Sequence, residues 1–385
     1  MKKITLAILF AVSLATSLTA QIVKNKKDGH YNFTVVKNID RTEVDNQNRT
    51  GTCWSFSSLS FFESEMIRMG KPKVKLSEMF VVRKAYEDKA DLFVRMQGNH
   101  QFAEGGEFHD MLNVFHKYGM MPQNLYGGLN YGEKKHVHGE MDQALSAFVK
   151  TIAKNPNGKI STAWKPAYNG ILDAYLGKVP ESFEVDGKKY TPQTYAQSLG
   201  INPDDYVLIT SFSHHPFYKK FILEVADNWA MNEMYNVPVE DFASIISESV
   251  NNGYTVAWSS DVSEKYFSFK NGIAIVPSKA WDEMTKEEKD SALNYPVAQM
   301  KITQEIRQEA FDNQTTTDDH GMHIVGEVKD QNGAKYYIVK NSWGKDNNDC
   351  DGYLYASEAY VLYKSTAIMV HKNAVPKAIA KKLGL

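Results

Sequence analysis

Three observations predict an α+β fold for this 385-residue chain. Apolar residues recur at helical spacing through most of the first half. After about residue 205 the texture changes to short β-rich runs bounded by Gly, Asn, Asp or Pro, and one turn signal makes two of those runs antiparallel neighbours. With 43% hydrophobic and 12% aromatic residues the chain can bury a large core, enough for one to three domains.

The elements follow in order. Phe56, Leu59, Phe62 and Met66 predict a helix over 53–69, with Thr52 in the N-cap position and Gly70-Lys71-Pro72 ending it. Phe108, Met111, Leu112 and Phe115 repeat the spacing behind Gly105-Gly106, as do Met141, Leu145, Phe148, Val149 and Ile152. Strands are predicted over 206–210, 254–259, 272–276, 324–328, 335–340 and 352–355. Asp330-Gln331-Asn332-Gly333 joins the 324 and 335 runs as a hairpin. Punctuation such as Asn155-Pro156-Asn157-Gly158 marks 130–250 as an insertion or subdomain.

The first twenty residues read as an address. Met1-Lys2-Lys3, the apolar stretch Leu6 to Val12 and the small residues up to Ala20 have the zones of a secretory signal, with cleavage expected after Ala20. An exported protein, periplasmic or secreted, is the expectation, with residues 21–385 as the working domain; a retained membrane anchor is the alternative. No later run is apolar and long enough to span a bilayer, so no membrane partner is expected after cleavage. Lys plus Arg number 44 against 46 Asp plus Glu, a net of −2, which leaves no electrostatic footprint for nucleic acid. Two cysteines, Cys53 and Cys350, allow at most one bridge.

Cys53 follows Gly51-Thr52 at a helix start, where unpaired backbone N–H groups favour a thiolate. That field contributes only about 0.3–1 kcal/mol, so a nucleophile here also needs an imidazole. Alone, such a cysteine reads as a small buried hydrophobe. His320 and His323 stand at the mouth of the predicted hairpin. His323 is preferred because it abuts the strand Ile324-Val325-Gly326, whereas His320 ends a polar loop. Asn341, at the end of the return strand, could orient the imidazole, and Trp343 could shield that bond from water. Gln47 and the Cys53 backbone N–H could form a two-donor oxyanion hole. His136, His138 and Glu140 lack a matched third ligand and zinc-site spacing, His214-His215 fare no better, and no metal or cofactor is expected.

Gln47-Asn48-Arg49-Thr50-Gly51-Thr52-Cys53-Trp54, then Gly321-Met322-His323, then Lys340-Asn341-Ser342-Trp343-Gly344 and Gly352-Tyr353 resemble, in order and spacing, the papain-like cysteine peptidases. Within them, Asp45-Asn46-Gln47, Gly105-Gly106-Glu107, Tyr118-Gly119-Met120-Met121-Pro122, His215-Pro216-Phe217 and Trp258 with Asp261-Val262 look most like the bleomycin hydrolase and aminopeptidase C branch. The resemblance spans most of 40–372. It implies a two-lobed fold with a large insertion, the nucleophile helix in a helical lobe, and the histidine and asparagine in an antiparallel β lobe. It also implies Cys53 as nucleophile, His323 as general base and acid, Asn341 as orienter and Gln47 as oxyanion donor. Gly105 and Gly106, with Trp343 and Met322, would line the peptide cleft. Two residues depart from the pattern: Thr50 stands where the common signature has a cysteine, and Thr52 where this branch is expected to carry a basic residue. Peptides are the implied substrates, a hexamer the implied assembly. In this branch the C-terminal carboxylate holds the substrate's amino group, so 371–385 reads either as such an arm, giving an aminopeptidase, or as an exposed basic tail, giving an endopeptidase. A silent peptidase-like binding protein is the third reading.

Overall fold

The computed structural model describes residues 21–385. The segment read as a leader lies outside the described residues. The described chain opens with an antiparallel pair, β1 (Ile22–Lys24) and β2 (Asn32–Asn38), that the hydrophobic pattern did not signal. The predicted nucleophile helix follows as α1 (Cys53–Arg68). Thr52 holds the N-cap position, but its hydroxyl pairs with Thr50 Oγ1 at 2.6 Å and caps no first-turn amide; the Ser55 and Phe56 amides turn to Thr52 O at 3.0 and 3.3 Å, and that of Trp54 is left to face the Cys53 sulfur.

A helical lobe then builds up from α2 (Glu78–Arg95), α3 (Phe108–Tyr118), α4 (Gly139–Ala153), α5 (Trp164–Leu176), the small hairpin β3 (Phe183–Val185) and β4 (Lys188–Tyr190), and α6 (Pro192–Leu199). Each apolar stripe read from the sequence turns inward: Phe56, Leu59, Phe62, Met111, Leu145 and Val149 share one core with Phe80 of α2 and Leu172 of α5.

The remaining strands are β5 (Tyr206–Thr210), β6 (Lys220–Ile222), β7 (Glu233–Asn236), β8 (Val256–Ser260), β9 (Phe267–Ser268), β10 (Ile273–Ala274), β11 (His320–Lys329), β12 (Lys335–Lys340), β13 (Tyr353–Ser357) and β14 (Ser365–His371). They run in the order β6-β7-β5-β14-β8-β11-β12-β13-β10-β9, with β2 also paired to β11. The β5–β7 and β10–β13 pairings are parallel and the others antiparallel. Residues 130–250 are thus divided: α4 to α6 sit on the helical lobe, while β5 to β7 join the main sheet. The hairpin from β11 to β12 closes as expected, with Asp330 Oδ1 accepting the Asn332 and Ala334 amides at 2.9 and 2.8 Å and Gly333 at φ 85°.

The sheet packs on both faces. Met322 and Ile324 join Trp258, Phe242 and Tyr360 under α7 (Val239–Asn251) and α10 (Glu358–Lys364), whereas Val325 turns to Tyr31, Phe33 and Tyr336. Two further helices, α8 (Lys286–Ala292) and α9 (Gln304–Asp312), lie between β10 and β11 in sequence. The last helix, α11 (Lys377–Leu383), buries Ile379 and Leu383 in the core under α7, and its Lys382 pairs with Asp241 and Tyr218. The described residues contain no helix long and apolar enough to cross a membrane.

Candidate active site

The site lies where the N-terminus of α1 meets the mouth of β11. Cys53 opens α1, and the backbone amides of Trp54 and of Gly321, the second residue of β11, face its sulfur and draw its pKa down. Immediately before Gly321 stands His320. Its Nε2 bonds Asn341 Oδ1 at 2.7 Å, and Trp343 lies over its ring at 4.7 Å with a 30° tilt. Phe267 and Phe269 pack edge-on against Trp343 and hold it there. With Nε2 donating to the asparagine, Nδ1 is left without its proton and free to accept one.

His323, expected to be the partner of Asn341, is elsewhere. It is fully buried, its Nδ1 is 2.9 Å from Ser60 Oγ, and Phe61 packs edge-on to its ring. Ser60 and Phe61 lie two turns along α1 from Cys53. The ladder sets His323 opposite Lys340, so Asn341 falls beyond it, toward the start of the strand. The choice of His323 is therefore corrected: His320 and His323 are an odd number of residues apart and project from opposite faces of β11, and the polar loop thought to hold His320 is already ladder, paired with Ser260. Met322 is corrected as well. Its side chain is 1% exposed within the sheet core and cannot line a cleft. Trp343 covers the His320–Asn341 bond.

Gln47 stands against the same strand end. Its backbone N–H donates to Ser342 O at 2.8 Å, Ser342 Oγ donates to its Oε1 at 2.5 Å, and its Nε2 donates one hydrogen to Thr50 O at 2.8 Å. The second Nε2 hydrogen remains for another acceptor. Gly106 lies beside Trp54 at the start of α1, with Gly105 next to it. A Cβ at Gly106 would come within 3.0 Å of the Trp54 ring and 2.6 Å of Asp110 Oδ2, so only glycine leaves the backbone accessible there. Trp54 Nε1 donates to Glu104 O at 3.1 Å, and the Glu104 carboxylate accepts the Gly51 amide, tying the segment before Gly105 to the loop before Cys53. Nothing in the spacing of the sequence pointed to Ser342 or Glu104; the position of Ser342 beside Asn341 was the one available hint.

Electrostatically the site differs from the expectation of a ready thiolate. Burial, reinforced by Asp318 and Asp227, pushes the Cys53 thiol up to about 12 against the pull of the two amides. Burial likewise lowers His320 to about 4. Burial thus favours the neutral form of each, thiol and imidazole. Burial also raises Asp318 to about 6, where it accepts from Ser259 Oγ at 2.8 Å, and burial with Asp318 nearby holds Glu107 well above the usual carboxylate range.

Of the two histidine groups set aside in the sequence, the first packs two rings together with both His138 nitrogens unpaired among the described residues, and the second converges on a carboxylate. His138 is fully buried and edge-on to His136, while Glu140 accepts from Tyr175 Oη at 2.5 Å. His214 and His215 close on Glu224 at 3.0 and 2.7 Å, a convergence the sequence did not suggest. Gln308 Nε2 donates to His214 Nδ1 at 3.0 Å, so His214 Nε2 carries the proton and hydrogen-bonds the carboxylate, the opposite of what a metal at Nε2 requires. Both cysteines are free, and the Cys350 thiol donates to Asn25 O.

Known proteins share this chain's sequence pattern and its fold. Residues 175–384 match the Peptidase C1-like family and residues 32–196 the papain family of cysteine proteases. "Cysteine proteinase 1, mitochondrial" of Saccharomyces cerevisiae is 22% identical over 91% of this chain and 79% of its own length. Aminopeptidase E of Lactobacillus helveticus and aminopeptidase C of Lactococcus lactis are each 22% identical over 87% of this chain and 82% of theirs. The crystal structure of PepW from Lactobacillus rhamnosis HN001 shares the fold, with a TM-score of 0.70 at 20% identity over 91% of this chain and 84% of that one. The expectation of export does not stand against these relatives, since the yeast protein is named mitochondrial. The chain belongs to the Peptidase C1-like family and is a papain-like cysteine peptidase of the bleomycin hydrolase and aminopeptidase C branch.

Proposed function

We propose that this protein hydrolyses peptide bonds at the N-termini of peptides through Cys53, His320, Asn341 and Gln47. One observation carries the reading: the His320 Nε2–Asn341 Oδ1 bond lies at the strand end whose next amide, that of Gly321, faces the Cys53 sulfur. As Sγ bonds to the scissile carbonyl carbon, the thiol proton passes to His320 Nδ1, and the negative oxygen faces the Cys53 N–H and Gln47 Nε2. The imidazolium then gives that proton to the leaving nitrogen as the C–N bond breaks. A water, deprotonated by His320, splits the resulting thioester, returning the thiol and releasing the acid. Because both groups rest neutral, the ionic pair forms only with substrate in place, where the closed cleft strengthens its attraction.

The relatives named aminopeptidase support an exopeptidase. One observation favours an endopeptidase instead: residues 377–383 are folded into the core under α7 and not into the cleft. Purified protein is expected to hydrolyse aminoacyl fluorogenic amides and to take up one equivalent of an epoxide inhibitor on Cys53, read by mass spectrometry. An unmodified thiol together with no turnover would leave only a binding scaffold. Equal rates on free and N-acetylated versions of one peptide would select the endopeptidase.

A further inference from the structure

An aminopeptidase on a papain-like scaffold needs an anion in the cleft to hold the substrate's ammonium group. In this chain α11 is packed away, yet a carboxylate does stand against the cleft wall. It belongs to Asp227, in the loop joining β6 to β7. A Cβ built on Gly105 would lie 2.1 and 2.3 Å from its two oxygens, so the carboxylate occupies the space that glycine leaves open. Its charge reaches the nucleophile, opposing ionisation of the Cys53 thiol.

The carboxylate is held in place but is itself poorly satisfied. Asn228 is 6% exposed and Trp229 7% exposed, and they lock the loop on one side of it. Asn228 Nδ2 donates to Leu223 O and Asn232 O at 3.2 and 3.0 Å, and Trp229 Nε1 donates to Asp110 Oδ2 at 2.7 Å. That same Asp110 oxygen accepts the Glu107 amide at 3.0 Å, so the wall bearing Gly105 and Gly106 and the loop bearing Asp227 share one anchor. Among the described residues the sole hydrogen bond to Asp227 is from Gln101 Nε2, a long one at 3.3 Å. Lys89, the nearby cation, is spent on the carbonyls of Ala103 and Gly105. Half-buried and short of donors, the carboxylate has its charged form disfavoured by desolvation, which an incoming cation would relieve.

We propose that Asp227 binds the α-ammonium group of the peptide substrate and so sets exopeptidase specificity, replacing a C-terminal carboxylate in that task. The inference rests on the aminopeptidase reading and names the group that would produce it. A rigid loop presenting one anion a fixed distance from the nucleophile measures off the N-terminal segment to be cleaved.

The test compares kcat/KM for one fluorogenic peptide amide, free and N-acetylated, in wild type, Asp227→Asn and Asp227→Glu. Wild type should prefer the free amine by about tenfold or more, as a charge-assisted hydrogen bond implies. Asp227→Asn should erase that preference by raising KM for the free amine alone, any change in kcat being shared by both peptides, and Asp227→Glu should restore part of the preference. A merely structural role would slow both peptides alike. If wild type prefers the free amine and Asp227→Asn keeps the preference, Asp227 is not the anchor and the aminopeptidase reading survives. Cleavage by wild type without preference, or of neither peptide, overturns both.

Discussion

Two histidines three residues apart on one strand have opposite fates in this molecule. His320 stands at the mouth of β11, bonded to Asn341, roofed by Trp343 and next to the amide that faces the Cys53 sulfur. His323 is fully buried between strand and helix, held by Ser60 and facing Phe61, with its Nε2 lacking a partner among the described residues. Burial depresses both imidazoles, His323 well below the ordinary value. The difference is one of geometry. The alternation of a β-strand sends residues 320 and 323 to opposite faces, the first to Asn341 and the second to Ser60.

The comparison breaks most sharply under substitution. His320→Ala should lower kcat/KM at least ~10³-fold on an aminoacyl amide, as loss of a general base implies, and Cys53→Ala should abolish turnover. His323→Ala, assayed at a temperature where it remains folded, should stay within about threefold of wild type; the reverse ranking would restore His323 as the base. Next in size is the orienting pair. Asn341→Ala should cost roughly 10²-fold in kcat by freeing the ring to turn, with KM nearly unchanged.

The pH profile sharpens the contrast further. Because burial lowers His320 to about 4, its imidazole remains a base well below the ordinary 6.5, and kcat/KM should fall on the acid side only as pH drops through about 4. A limb near 6.5 would mean an exposed base. His323 should show in stability instead. Its folded pKa lies below the unfolded one, so its contribution is complete above about 6.5 and is lost as pH falls, by up to about 1.4 kcal/mol per pH unit. His323→Gln should therefore flatten the fall of Tm between pH 6.5 and 5. The smallest effect is expected from Ser60→Ala, which removes the bond to His323: about 0.5–1.5 kcal/mol in denaturant unfolding, with activity intact.

Much of the fold was legible because its signals are local. The stripe Phe56, Leu59, Phe62, Met66 and the turn at 330–333 specify α1 and the β11–β12 hairpin within a few residues each, and the strand 206–210 is found where it was read. The starts of elements were less legible. Strand β11 begins at His320, four residues before the apolar run that announced it, because its first residues owe their extended form to pairing with β8 and not to their own hydrophobicity. That shift moved the chosen histidine from 320 to 323. Asp227 offered no local signal at all, since its meaning depends on Gly105, which is 122 positions earlier.

The order of residues thus determined by itself which side chains could do chemistry: a cysteine at a helix start, histidines and an asparagine flanking a hairpin, a glutamine ahead of the helix, two glycines. Tertiary structure alone decided which histidine reaches the asparagine, that burial keeps thiol and imidazole neutral at rest, and that α11 folds under α7 while a loop aspartate faces the cleft. The reason is physical. Periodicity and turn chemistry act between near neighbours, whereas strand register, desolvation and the meeting of charges depend on which distant segments share the same few ångströms.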